Sequence, residues 1–211
     1  MKTSSAEDVR KLYEDSADSY DKMMDSEINL PVYEDILTRL AEKISGLQGA
    51  VIDTSCGSGH MLYQYHKRYD PMRPLIGIDL SPKMVAISRK KLGKNTKIFA
   101  ADMRELDDIP AESSAAVISF FALHHLEPKE IGVALKEWCR VLRPKGQLNI
   151  ATWEGSGPID YGDESDVVAL RYSQQEVTEL VEKNGFKIDR LVVKPDAEIP
   201  MNAIYLEGTK Q

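Results

Sequence analysis

Cysteine is nearly missing from these 211 residues. Cys56 and Cys139 lie far apart, one in a glycine-bearing turn and one in a strongly helical segment, so neither count nor spacing suggests a disulfide framework or a zinc site. No metal is expected. Long apolar runs are missing too: none approaches the length that crosses a bilayer, and the opening MKTSSAEDVR has neither the basic patch nor the apolar stretch of a secretion signal. A cytoplasmic protein without a membrane partner is the expectation. Basic residues are outnumbered: 27 Lys and Arg against 34 Asp and Glu leave a formal charge of −7 and a pI near 5.2, which disfavours a nucleic-acid partner. The longest basic runs, SRKKLGKNTK at 88–97 and HKR at 66–68, read as solvated helix faces and loops.

What is present suffices for one full core. With 42% hydrophobic residues the chain is long enough for a single domain, 1–211, and too short for two comfortable ones. Val9, Leu12, Tyr13, Tyr20 and Met23–Met24 follow helical spacing, and Val32, Ile36, Leu37, Leu40 and Ile44 repeat it after Pro31. The period then changes. AVID (50–53), PLIGID (74–79), KIFAA (97–101) and AAVISF (115–120) are short bounded runs that read as buried strands, with helices expected at 58–69 and 82–92 between them. Pro128 opens a helix with the stripe Ile131, Leu135, Trp138 and Leu142, stopped at RPKG (143–146), and QLNIAT (147–152) follows as a fifth strand. Ser173 and Glu176 stand at capping-box spacing, and two strand-like runs, 186–193 and 202–209, end the sequence. The pattern predicts an α/β fold: a doubly wound, Rossmann-like sheet of about seven strands, mostly parallel with an antiparallel edge, plus N-terminal helices.

In such sheets ligands sit beyond the carboxyl ends of the strands, where the winding reverses. The turn VIDTSCGSGH (51–60) lies there. Gly57 and Gly59 remove side chains where the chain turns sharply against a ligand, and Asp79, ending the second strand, is placed to accept hydrogen bonds from a ribose diol. A dinucleotide fingerprint needs glycine at the positions held by Ser55, Gly57 and His60, so only one fits.

The spacing Asp53-x-x-x-Gly57-x-Gly59 instead resembles the D-x-G-x-G-x-G loop of the class I S-adenosylmethionine-dependent methyltransferases, with Ser55 where that family usually has its first glycine. GIDLSPKMV (77–85), AADMREL (100–106), ISFFALHHL (118–126) and EWCRVLRPKGQLNIATW (137–153) resemble further landmarks in the family's order. The resemblance implies S-adenosylmethionine as cofactor, with S-adenosylhomocysteine as product. It implies that the loop residues Asp53, Ser55, Cys56, Gly57 and Gly59 hold the methionine end, Asp79 the ribose, Leu80, Met84 and Met103 the adenine ring, and Asp102 its amino group. Phe120 is expected to wall the cofactor. Residues 1–45 are expected to form a helical lid, in which the segment Tyr13 to Asp21 matches the family's YxxxAxxYD and Tyr20 faces the cofactor.

Methyl transfer is an in-line displacement, and a base is needed only where the nucleophile must lose a proton. His124 and His125 follow the fourth strand, and imidazole ordinarily titrates near neutral pH, so either is a candidate base. Tyr13 and Phe121 are candidate substrate contacts. The stretch 153–167 carries Asp160, Asp163, Glu164 and Asp166 around Tyr161, so Tyr161, Asp163 and Glu164 are candidate contacts for a cationic or amine substrate, against the alternative of a solvated loop. A small-molecule acceptor attacked at oxygen or nitrogen is expected. A silent cofactor-binding scaffold, or a protein or RNA methyltransferase, stays open, and nothing here sets the oligomeric state.

Overall fold

A computed structural model describes residues 2–94, 96–159, 165–196 and 199–211. Two helices come first, α1 (Ala6–Glu27) and α2 (Pro31–Ile44). Ser5 accepts from the Asp8 amide while the Asp8 carboxylate returns to the Ser5 amide, a box that starts α1 ahead of its first apolar position, and Pro31 starts α2. Strands and helices then alternate: β1 (Ala50–Asp53), α3 (His60–Arg68), β2 (Leu75–Asp79), α4 (Pro82–Leu92), β3 (Lys97–Ala100), β4 (Ser114–Phe120), a short 3₁₀ turn (Leu123–His125), α5 (Pro128–Val141), β5 (Leu142–Glu154) and α6 (Gln174–Lys183). The hairpin of β6 (Phe186–Pro195) and β7 (Asn202–Lys210) closes the chain.

The seven strands form one sheet in the order β3-β2-β1-β4-β5-β7-β6. β1 to β5 are parallel, and β7 pairs antiparallel with both β5 and β6, which places the expected antiparallel pair at one edge. The winding reverses between β1 and β4, so the loops after these two strands open one crevice. One expectation shifts: RPKG does not precede the fifth strand but lies within it, because β5 pairs with β4 from Leu142 onward and absorbs the turn as an irregularity with Lys145 at φ +64°.

Helices cover both faces. On one, α5 presents Ile131, Ala134, Leu135, Trp138 and Val141, all buried against β4, β5 and α6. On the other, α2, α3 and α4 pack Leu37, Leu40, Leu62, Tyr65 and Val85 over β1 and β2. Core packing also sets loop position. Trp138, fully buried, donates its indole N–H to the Met103 carbonyl at 3.2 Å and so pins the loop after β3 beneath the crevice. Among the described residues no helix is long and apolar enough to cross a membrane, and no His, Cys, Asp and Glu cluster is placed to hold a metal ion.

Candidate functional site

The turn after β1 is fixed by its neighbours. The Thr54 amide donates to the Ile118 carbonyl and the Cys56 amide to the Ile78 carbonyl, so the loop bridges the ends of β4 and β2. Gly57 (φ +49°) and Gly59 (φ +86°) take the left-handed conformation, which strains any residue with a Cβ. The Gly57 amide donates to Oδ2 of Asp79 at 2.8 Å, while the Ser81 amide donates to Oδ1 of Asp79. Asp53 accepts from the Ser55 amide at 3.2 Å. The Ser55 hydroxyl turns toward Ser119 on β4, 3.5 Å away.

A cavity of about 460 Å³ opens over these strand ends. Of the residues expected at the cofactor, Ser55, Gly57, Asp79, Leu80, Met84, Asp102, Met103, Phe120 and Tyr20 line it. Tyr13, Phe121, His124 and His125, expected at the substrate, line it as well. Asp53 and Cys56 line a smaller space of about 40 Å³ that shares Tyr20, Ser55 and Phe120 with the larger one. Two placements differ from expectation. Gly59 lines neither space: a Cβ there would lie 2.5 Å from Oγ of Ser88, so this glycine lets the loop pack against α4 instead of a ligand. The Cys56 thiol turns under the sheet against Gly77, and burial pushes its pKa up, so it stays a thiol. Tyr161, Asp163 and Glu164, like Asp160, lie outside the described residues.

The floor of the site is acidic and short of cations. Burial raises the Asp53 carboxyl to about 7, and burial also raises that of Asp79, with amide hydrogen bonds opposing the rise in both. Among the described residues neither carboxylate has an ion-pair partner. Two desolvated carboxylates side by side suit a ligand that brings an ammonium and hydroxyl donors, which is the donor set of S-adenosylmethionine. Asp102 differs: Arg104 holds both its oxygens, with Nη2 to Oδ2 at 2.6 Å, and holds its pKa below the usual range against the opposing effect of burial. A carboxylate offers about four acceptor sites, so Asp102 can still receive an amino group.

Over the opposite end lies α1. Tyr20 rests its ring on Gly57, and burial, followed by the charges of Asp79 and Asp53, pushes its phenol up. The Tyr13 hydroxyl is 2.9 Å from Nε2 of His125. Here the structure corrects an expectation. Both histidines are buried in the 3₁₀ turn, their rings 4.1 Å apart, and burial lowers His125 to about 4 and His124 well below its ordinary value. Neither titrates near neutral pH. Each keeps a buried Nδ1 without a partner.

Several cavity residues lie outside the expected set. Trp153, at the end of β5, packs its ring 4.6 Å from that of Phe121, which itself sits at φ +51° and is thereby turned across the mouth. Tyr33 from α2, Glu27 from the end of α1, and Asp196 and Ile199 beyond β6 complete the far wall. Trp153 ends a segment that matches the family's fifth strand and was findable by position. Glu27 and Asp196 are 169 residues apart, and only the fold brings them to one chamber.

A methyltransferase domain family model matches residues 51–146, the span from β1 into β5. An uncharacterized methyltransferase of a Geobacillus species is 29% identical over 145 residues, covering 66% of this chain and 65% of its own length. One from Oceanobacillus iheyensis is 27% identical over 183 residues, covering 86% of this chain and 74% of its own. This chain thus spans about two thirds to three quarters of those relatives. Among solved structures, the Burkholderia thailandensis 1,6-didemethyltoxoflavin-N1-methyltransferase, with 1,6-didemethyltoxoflavin and S-adenosylhomocysteine bound, superposes with a TM-score of 0.75 at 18% identity, over 100% of this chain and 92% of that one, which shows a shared fold. With the strand order, the glycine turn and the match in hand, residues 51–146 form a methyltransferase domain, in a chain that shares its fold with solved S-adenosylmethionine-dependent methyltransferases.

Proposed function

We propose that the protein transfers a methyl group from S-adenosylmethionine to a small-molecule acceptor in the cytoplasm, with no nucleic acid or membrane as partner. The observation that carries this reading is the pair of cation-poor, desolvated carboxylates framing the Gly57 turn, Asp79 on the large cavity and Asp53 on the small space that shares Tyr20, Ser55 and Phe120 with it. When bound, S-adenosylmethionine supplies an electrophilic methyl group on a sulfonium.

The chain's own residues bind and align. Asp79, held rigid by the Gly57 and Ser81 amides, accepts from the ribose hydroxyls. Asp53 faces the ammonium, and the Ser55 and Cys56 main chain forms the wall there. Leu80, Met84 and Met103 enclose the adenine, with Asp102 beside its amino group. Residues 1–45 act as a lid in which Tyr20 closes on the turn and Tyr13 orients His125. Phe120 and Phe121 exclude water, and alignment of the two reactants does most of the catalytic work. His124 and His125 line the cavity, and burial, which holds both neutral and lowers their basicity, suits them to positioning the acceptor by hydrogen bonding more than to removing its proton.

The test is mass spectrometry of a small-molecule acceptor panel incubated with the protein and methyl-labelled S-adenosylmethionine. Label in a small acceptor supports the reading. Label recovered only in protein or RNA, or tight cofactor binding with no label anywhere, favours the alternatives of a macromolecular methyltransferase or a silent scaffold.

A further inference from the structure

His60 stands where the glycine turn becomes α3, and it is buried with both ring nitrogens engaged. Nδ1 lies 2.9 Å from Oγ of Ser58, in the turn one residue beyond Gly57. Nε2 lies 2.9 Å from Oδ1 of Asp25 on α1 and 2.8 Å from Nζ of Lys91 near the end of α4. Lys91 itself reaches α1, 3.2 Å from Oδ1 of Asp21. One imidazole thus joins the turn, α1 and α4, the three elements that bring Gly57, Tyr20 and Met84 to the large cavity. Asp21 and Asp25 are four residues apart and share a face of α1, and the residues just before them, Tyr20 and Met24, line that cavity. Whatever holds the two carboxylates therefore holds the stretch of α1 that carries Tyr20.

A single ring nitrogen cannot serve a donor and an acceptor at once. With a lone pair on Nε2, the neutral ring accepts from the Lys91 ammonium and gives its Nδ1 hydrogen to Ser58. The other ammonium hydrogens then face Asp21 and Asp25, at 3.2 and 3.7 Å. With a hydrogen on Nε2, the ring donates to Asp25, and the ammonium 2.8 Å away meets an N–H that it cannot bond. That second arrangement displaces Lys91 from its place between α4 and α1. The charged groups around the ring are Asp21 and Asp25 from α1 and Lys91 from α4, with Asp53 lining the same small space. Burial lowers the pKa of the ring, the Asp25 hydrogen bond opposes that fall, and the Lys91 charge adds to it.

We propose that His60 is a positioning residue for methyl transfer, a latch that couples Ser58 of the cofactor turn to Lys91, Asp21 and Asp25 and so holds α1 closed with Tyr20 over Gly57. The claim rests on the methyl-transfer reading of the cavity and on α1 as its lid. His60 acts through Tyr20 and lines only the smaller space. The link is complete with the neutral ring, and a second proton breaks it by displacing Lys91. Because the folded pKa lies below the ordinary value of about 6.5, closure is fully present above that value and is lost as pH falls below it.

The experiment uses the full chain and two readouts: amide-exchange protection factors of α1 in the ligand-free protein, and calorimetric affinity for S-adenosylhomocysteine. Both are taken near pH 7.5 and near pH 5.5 on the natural protein, His60→Ala and His60→Gln, with thermal unfolding as the check on folding. Near pH 7.5, His60→Ala is expected to lower α1 protection and S-adenosylhomocysteine affinity by about fivefold or more each while α5 protection holds. His60→Gln, whose amide oxygen can accept from Lys91, is expected to restore most of both. In the natural protein acid should lower α1 protection severalfold more than α5 protection, and His60→Gln should lack that extra fall. Unchanged α1 protection in His60→Ala, or an extra acid-induced fall that survives in His60→Gln, would overturn the proposal; the second comparison stands even where His60→Ala fails to fold. A natural protein that does not bind S-adenosylhomocysteine, yet shows the expected protection changes, would instead overturn the methyl-transfer reading and leave the latch on α1 standing.

Discussion

The ring of Tyr20 occupies the space into which a side chain at Gly57 would point: a Cβ there would lie 3.0 Å from Cε1 of the tyrosine. This contact joins α1 to the turn after β1. It follows that Gly57→Ala faces both a left-handed backbone, costing about 1–2 kcal/mol, and a displaced Tyr20. Affinity for S-adenosylhomocysteine should fall more than about tenfold with only a few degrees lost in Tm. Gly59→Ala is the contrast, because its Cβ would meet Ser88 and leave the cavity untouched; calorimetry should show stability lost and affinity largely kept.

Asp53 gives the site a pH signature. Its folded pKa, about 7, stands above the unfolded value of about 4, so its contribution to stability is present below the unfolded value and is lost as pH rises through 7. A cationic ligand favours the ionised form, so affinity for S-adenosylhomocysteine should rise with pH and level off above 7. Asp53→Asn should flatten that profile and make the unliganded protein more stable at pH 8 than the natural one.

The histidines run the other way. Their folded pKa values lie below the unfolded value of about 6.5, so the unfolded chain binds more protons and stability falls as pH drops from about 6.5 toward the folded values, about 4 for His125. Imidazole resonances followed by NMR should show neither ring titrating between pH 6 and 8. Tyr13→Phe removes the hydroxyl at Nε2 of His125, and kcat should fall by about tenfold or more with little change in Tm.

Two ion pairs and a histidine hydrogen bond hold α1 over the site. Asp18 meets Lys83 at 2.8 Å, Asp21 meets Lys91 at 3.2 Å, and Nε2 of His60 lies 2.9 Å from Asp25. The Asp18–Lys83 pair is exposed and the Asp21–Lys91 pair half-buried, and salt screens the exposed charges most. Amide exchange within α1 should accelerate about threefold or more between low and half-molar salt while α5 stays unchanged, and Lys91→Met should reproduce part of the effect at low salt.

How much of this was legible in the sequence depends on the range of the interaction. The Ser173–Glu176 box, the proline starts of α2, α4 and α5 and the strand periodicity are local, and α4 spans the expected 82–92. The Ser5–Asp8 box is equally local, though it stands ahead of the apolar spacing that begins at Val9. Asp53, Gly57 and Asp79 were findable because each ends a strand or a turn whose place in the fold follows from alternation. Gly59 looked alike in sequence and differs only in what lies behind it, the α4 residue Ser88. The neutral state of His124 and His125 is set by burial, and the presence of Glu27 and Asp196 on one cavity by the fold, so neither is written in any window of the chain.

The most direct test of the central claim is calorimetric titration of the purified, ligand-free protein with S-adenosylhomocysteine, beside Asp79→Ala and a nicotinamide dinucleotide. Binding by the natural protein, at least about a hundredfold weaker in Asp79→Ala and absent for the dinucleotide, is the predicted result. A folded protein that does not bind S-adenosylhomocysteine, or binds it equally well without the Asp79 carboxylate, would contradict the account.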